Sequence, residues 1–153
     1  MKIINDLKQI PVPFSNAVVT IGNFDGVHVG HQALFHQVID KARELEGTSV
    51  VITFEPHPFR VLNGKQRFPL ITLYEQKIEL IAATGIDVIV CIPFTRQFAA
   101  TPPRVFVKEI LCDVIGAKAI IVGPDYTFGN KRKGNIALLE EMGKTHGLSL
   151  IHI

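Results

Sequence analysis

Two histidines, His28 and His31, lie three residues apart where an apolar run gives way to a helical pattern. Around them Gly22, Gly26 and Gly30 recur at four-residue intervals in VTIGNFDGVHVGHQALF, residues 19–35. Glycine between a strand and a helix lets backbone approach a ligand closely, and the free N–H groups and positive dipole end of a helix start attract anions. Neither common phosphate motif fits. A dinucleotide turn reads G-x-G-x-x-G, and a P-loop closes on Lys followed by Ser or Thr. What remains is a pair of imidazoles that can face one side across a helix cap, each offering a ring N–H to a phosphate oxygen. Such a pair suits a reaction in which charge builds on phosphate oxygens without a covalent nucleophile. Nucleotidyl transfer is of that kind, since it depends mostly on positioning and electrostatic stabilisation. The imidazole charge stays open, because phosphates favour protonation and a helix N-terminus opposes it. A zinc pair fits less well, with no cysteine and no third ligand nearby.

The elements that must hold these residues follow from periodicity. Five β-branched runs, at 17–21, 49–54, 87–92, 118–123 and 148–153, are continuous rather than alternating, as strands buried on both faces are. Helical patterns separate them at roughly 31–46, 72–84, 103–114 and 135–146. In the first, Leu34, Val38, Ala42 and Leu45 make an apolar stripe beside Lys41, Arg43 and Glu44. Thr72 with Glu75 predicts a capping box for the second, and Pro103 suits the first turn of the third. Alternating strands and helices predict an α/β, Rossmann-like parallel five-stranded sheet with helices on both faces. Ligands of such sheets bind beyond the carboxyl ends of the strands, which selects the loops 22–30, 55–71, 93–102 and 123–134.

Composition narrows the class. At 153 residues the expectation is one domain with a real core, and 47% hydrophobic against 20% charged residues excludes a disordered chain. A net charge of +2 is too small to advertise a nucleic-acid binder. Cys91 and Cys112 sit in apolar segments without C-x-x-C spacing, as reduced core thiols of a cytoplasmic protein do. Mean hydropathy is +0.28, yet no stretch reaches the length of a membrane span and the N-terminus has no signal-peptide pattern. Buried parallel strands account for the hydropathy.

G-N-F-D-G-V-H-V-G-H resembles the H-x-G-H signature of the nucleotidylyltransferase superfamily, in the longer form of the FMN adenylyltransferase module of bacterial bifunctional riboflavin kinase/FAD synthetases. TFEPHP at 53–58 is similar to the F-x-P-H-P segment of that family, and VGPDYTFGNKRKGN at 122–135 to its G-x-D-[FY]-x-F-G-x-x-x-x-G loop. The match runs in order over essentially the whole chain. The resemblance implies transfer of AMP from ATP to FMN, giving FAD and pyrophosphate with Mg²⁺. It makes His28 and His31 the catalytic pair that holds the ATP phosphates, with Gly22, Asn23, Phe24, Asp25 and Gly30 in the same ATP pocket. Asp25 is either a contact to metal or substrate or a turn residue bonding its own backbone; no protein metal ligand is assigned. Phe54, Pro56 and Pro58 become a flat, rigid flavin wall, together with Asp125 and Phe128, whereas His57 is left open between phosphate and solvent. Lys131, Arg132 and Lys133 offer steering of polyanions or a solvated loop face.

One departure bears on activity. The family continues with a Ser-Ser/Thr-x-x-Arg segment and then a riboflavin kinase domain, and neither pattern occurs before Ile153. The expectation is therefore an adenylyltransferase domain over 1–153, truncated at its C-terminal end, from a parent that is also a riboflavin kinase. Two alternatives stay open: a nucleotidylyltransferase for another phosphorylated small molecule, or a non-catalytic nucleotide-binding fragment. Oligomeric state is not legible.

Overall fold

Each of the five apolar runs becomes a strand in the computed structural model, which describes residues 2–24, 29–55, 74–123, 129 and 133–152. They are β2 (Ala17–Ile21), β3 (Ser49–Glu55), β4 (Val88–Pro93), β5 (Ala117–Val122) and β6 (Ser149–His152). A sixth strand corrects the expected five: β1 (Lys2–Ile4) pairs with β4 along Val88, Ile89 and Val90. Three residues opening on a lysine are too short to show a strand period. Only the exposed edge of β4 makes them one.

The sheet runs β1-β4-β3-β2-β5-β6, and every pair is parallel. From β2 the chain winds outward through β3 to β4, then returns to lay β5 and β6 on the other side of β2. The winding therefore reverses between β2 and β5, and their carboxyl ends open a crevice there.

Helix α1 (Val29–Glu44) and helix α2 (Tyr74–Ala82) cover one face of the sheet. α1 buries Leu34, Phe35, Val38, Ile39 and Ala42 against Val18, Val51, Ala119 and Ile121. Each large side chain so buried is worth about 1.5–3 kcal/mol, which outweighs what helix propensity supplies. α3 (Arg96–Ala99) is a single turn capped by the Thr95 hydroxyl, which accepts from Phe98 N at 3.0 Å. α4 starts at Pro103–Val105, with proline in its first turn as expected. It continues through Phe106–Ile115 with the wider i→i+5 winding, which the sequence pattern did not distinguish from an ordinary helix. α5 (Ile136–His146) is capped by Asn135, whose Oδ1 accepts from Leu138 N at 3.0 Å. Phe106, Val107, Leu111 and Ile115 of α4, with Leu139 and Met142 of α5, fill the other face against Val19, Ile52, Val90 and Ile120. Both faces carry helices, as expected of an α/β sheet. Thr72, proposed to cap α2, lies outside the described residues.

Among the described residues no helix is long and apolar enough to cross a membrane.

Candidate active site

The crevice at the carboxyl end of β2 is built by Gly22, Asn23 and Phe24. Gly22 N donates to Ile52 O at 3.0 Å and so extends the β2–β3 ladder by one residue. Phe24 then takes the left-handed conformation, φ 51°, which is uncommon for any residue with a Cβ and costs strain that its packing must offset. That packing is visible. The Phe24 ring is 5% exposed and sits edge-on to Phe35, with centroids 4.9 Å apart, and edge-on to His31 at 5.2 Å. A Cβ on Gly22 would lie 2.9 Å from Phe24 Cζ, so only glycine leaves room for the ring. Phe24, expected among the ATP-pocket residues, stands in the turn beside α1 with its ring in the core and against His31.

His31 and Gly30 lie in the first turn of α1, whose first turn holds no acidic residue and whose last turn holds Lys41 and Arg43. The first turn thus brings no carboxylate of its own to the positive end of the dipole. Gly22, Asn23 and Phe24 follow β2, Gly30 and His31 open α1, and the Phe24–His31 ring contact joins the two stretches. Asn23 Oδ1 is buried and has no hydrogen-bond partner among the described residues. His28 and Asp25 lie outside the described residues.

A residue that sequence reasoning missed underlies this turn. Lys77, on α2, is 7% exposed, and its Nζ donates to Asn23 O at 3.2 Å, Thr53 Oγ1 at 3.1 Å and Phe54 O at 3.3 Å. Thr53 Oγ1 in turn donates to Asn23 O at 3.1 Å. In the sequence Lys77 sits in an ordinary amphipathic pattern, YEQKIELIA, and nothing local marks it as buried.

On the opposite face of the same edge the side chains are aromatic. Phe54 at the end of β3, Phe94 after β4 and Phe98 on α3 form a triangle of half-buried rings, with centroids 5.5, 5.9 and 5.6 Å apart. Phe106 of α4 supports Phe98 from below at 6.1 Å. Phe54 was singled out by its motif. Phe94 and Phe98 were not, although their four-residue spacing in PFTRQF was a signal available to find them. Pro56, Pro58, Asp125 and Phe128 lie outside the described residues. Gly129, in the loop after β5, has φ 78° and packs so closely on Pro103 that an added Cβ would meet its Cγ at 2.8 Å. That contact seats Gly129 on the start of α4.

Other titratable groups near the edge are poor catalysts. Burial raises the Cys91 thiol above its ordinary range, which suits an inert core thiol. Tyr74 is pushed up to about 12, by burial first and then by neighbouring Cys91, Glu55 and Glu75. Its hydroxyl stays protonated and donates to Asn5 Oδ1 at 3.0 Å. Among the described residues no cluster of three or more His, Cys, Asp and Glu is placed to hold a metal ion.

The chain is similar to known proteins of one family. A sequence model of the FAD synthetase family matches residues 11–153. The bifunctional riboflavin kinase/FMN adenylyltransferase of Buchnera aphidicola subsp. Schizaphis graminum (strain Sg) is 39% identical over 153 residues, which is 100% of this chain and 49% of that protein. The chain thus spans about half the length of the curated relatives it matches. A crystal structure described as a macrolide-efflux protein from Streptococcus pneumoniae superposes with a TM-score of 0.79 at 28% identity, over 99% of this chain and 48% of that one. Pantoate-beta-alanine ligase from Francisella tularensis, complexed with beta-gamma ATP and beta-alanine, shares the fold, with a TM-score of 0.60 at 16% identity over 100% of this chain and 66% of that one.

Proposed function

The chain belongs to the FAD synthetase family, and on that premise we propose that it carries the FMN adenylyltransferase step, transferring AMP from ATP to FMN. A phosphate oxygen of FMN attacks the α-phosphorus of ATP in line, the bond from that phosphorus to the oxygen it shares with the β-phosphorus breaks, that oxygen leaves as a terminal oxygen of pyrophosphate, and FAD is formed. Mg²⁺ enters as part of the substrate, on the ATP phosphates. No protein group forms a covalent intermediate.

The single observation that carries the proposal is the pairing of two unlike half-sites on one sheet edge. On one face the start of α1 and His31 offer positive potential and donors to phosphate oxygens. On the other, Phe54, Phe94 and Phe98 offer flat apolar surface of the kind an isoalloxazine ring stacks on. A reaction that joins two nucleotides through their phosphates needs both, with the phosphates meeting over the edge. His28 is assigned to the same work as His31, and Asp25 to shaping the turn between them, on motif position. Pro56, Pro58, Asp125 and Phe128 are assigned to the flavin side on the same ground. The name of the relatives joins two activities over about twice this length, and we assign to these residues the adenylyl-transfer one.

Incubation of the protein with FMN, ATP and Mg²⁺ should yield FAD and pyrophosphate, separable by chromatography. Binding of both nucleotides without FAD would reduce the chain to a nucleotide-binding module. Failure to quench flavin fluorescence would instead point to another phosphorylated acceptor.

A further inference from the structure

We propose that Lys77 is a positioning residue that fixes the Asn23–Phe24 peptide and, through the Phe24 ring, the orientation of His31; this rests on the adenylyl-transfer reading above. Lysine is almost never buried unless every proton of its ammonium finds an acceptor. Here the ammonium donates to Asn23 O, Thr53 Oγ1 and Phe54 O, at 3.1–3.3 Å. Two of those acceptors are backbone carbonyls at the carboxyl ends of neighbouring strands, the place where ligands of this fold bind. A lysine needed only for packing would be expected to carry its ammonium out to water along a flexible stem. This one is drawn inward to the strand ends.

The consequence is geometric. Asn23 O accepts from both Lys77 Nζ and Thr53 Oγ1, so a flip of the Asn23–Phe24 peptide must break two hydrogen bonds. In a trans peptide the carbonyl and the following N–H point to opposite sides. Holding Asn23 O toward Lys77 therefore directs the Phe24 N–H away from it. The same peptide begins the φ 51° residue whose ring packs edge-on against His31 at 5.2 Å. The chain of contacts runs Lys77, Asn23 O, Phe24, His31. Lys77 touches no reacting atom along it.

The test is a double-mutant cycle in the protein as it stands, comparing Lys77→Met, His31→Ala and the pair. Methionine keeps the length of the stem and removes all three donors. With circular dichroism unchanged, Lys77→Met should lower kcat for FAD formation about tenfold or more alone, and less than about twofold when His31 is already alanine. It should also weaken a non-hydrolysable ATP analogue about threefold or more in calorimetry, because the turn that faces the phosphates loosens. Equal losses of kcat in both backgrounds, or no loss in a folded Lys77→Met protein, would overturn the inference. If Lys77→Met does not fold, Thr53→Val removes one of the two bonds to Asn23 O. It must show a smaller loss with the same non-additivity, and simple additivity would overturn the inference equally. A wild-type protein that forms no FAD would instead end the adenylyl-transfer reading. The calorimetric comparison would then still decide about Lys77, since unaltered analogue affinity in Lys77→Met would refute the clamp.

Discussion

The two halves of the sheet edge are built by different rules. The side we propose for phosphate draws Gly22, Asn23, Phe24, Gly30 and His31 from one short stretch, because a helix terminus and its preceding turn are contiguous in any chain. The aromatic side draws Phe54, Phe94, Phe98 and Phe106 from a strand end, a loop and two helices. Directional recognition of an anion needs fixed spacing between donors. A flat apolar wall needs only rings close together in space, wherever in the chain they come from. The first kind of site is written locally, and the second is assembled by topology.

If that division is right, substitutions on the two sides should separate binding from turnover. The largest effect belongs to His31→Ala, which should lower kcat about 10²- to 10³-fold, the usual cost of losing one donor to developing charge. The dissociation constant of FMN should change less than about twofold, and equal effects on both would merge the two halves into one site. Gly22→Ala comes next. Its Cβ would press on the Phe24 ring, so thermal unfolding should show a loss of about 1–3 kcal/mol. Gly123→Ala, just after β5 with none of the described residues within 4 Å of the added Cβ, should stay within about 0.5 kcal/mol of wild type. If the two glycine variants melt alike, the phosphate side does not depend on that ring.

Phe98→Ala tests the other side. Flavin affinity should fall roughly three- to tenfold by fluorescence quenching, while an ATP analogue binds as before. Loss of nucleotide binding as well would show that the rings support the phosphate turn. The smallest effect is at Tyr74. Its folded pKa is raised to about 12 from the ordinary 10.0, so the folded state holds the proton more tightly than the unfolded one. Its contribution is intact below about pH 10 and fades as pH climbs toward 12. Tyr74→Phe should therefore lose about 0.5–1.5 kcal/mol at neutral pH with the Asn5 bond, and show a shallower fall in stability above pH 10. A parallel alkaline decline in both proteins would remove Tyr74 as its source.

Much of the frame was readable beforehand. The runs at 17–21 and 49–54 became Ala17–Ile21 and Ser49–Glu55, because β-branched residues buried on both faces have few other places to go. The stripe of Leu34, Val38 and Ala42 became the buried face of α1 for the same reason at helical period. β1 was missed because a three-residue edge strand is defined by its partner. Lys77 was missed because a lysine on an amphipathic helix normally reads as solvent-facing. The burial of the Phe24 ring was not legible either, because it follows from a left-handed backbone and the space left by Gly22.

The sequence by itself determined what depends on neighbours within a turn or two: strands, helices, and a glycine–histidine cap suited to phosphate. Those preferences arise from backbone sterics, side-chain period and the helix dipole, all short in range. Tertiary structure alone decided which strand ends adjoin, and hence that an ammonium from α2 holds the turn after β2 and that four phenylalanines share one edge. Both depend on the winding order of the sheet, whose energy lies in contacts between residues far apart in the chain.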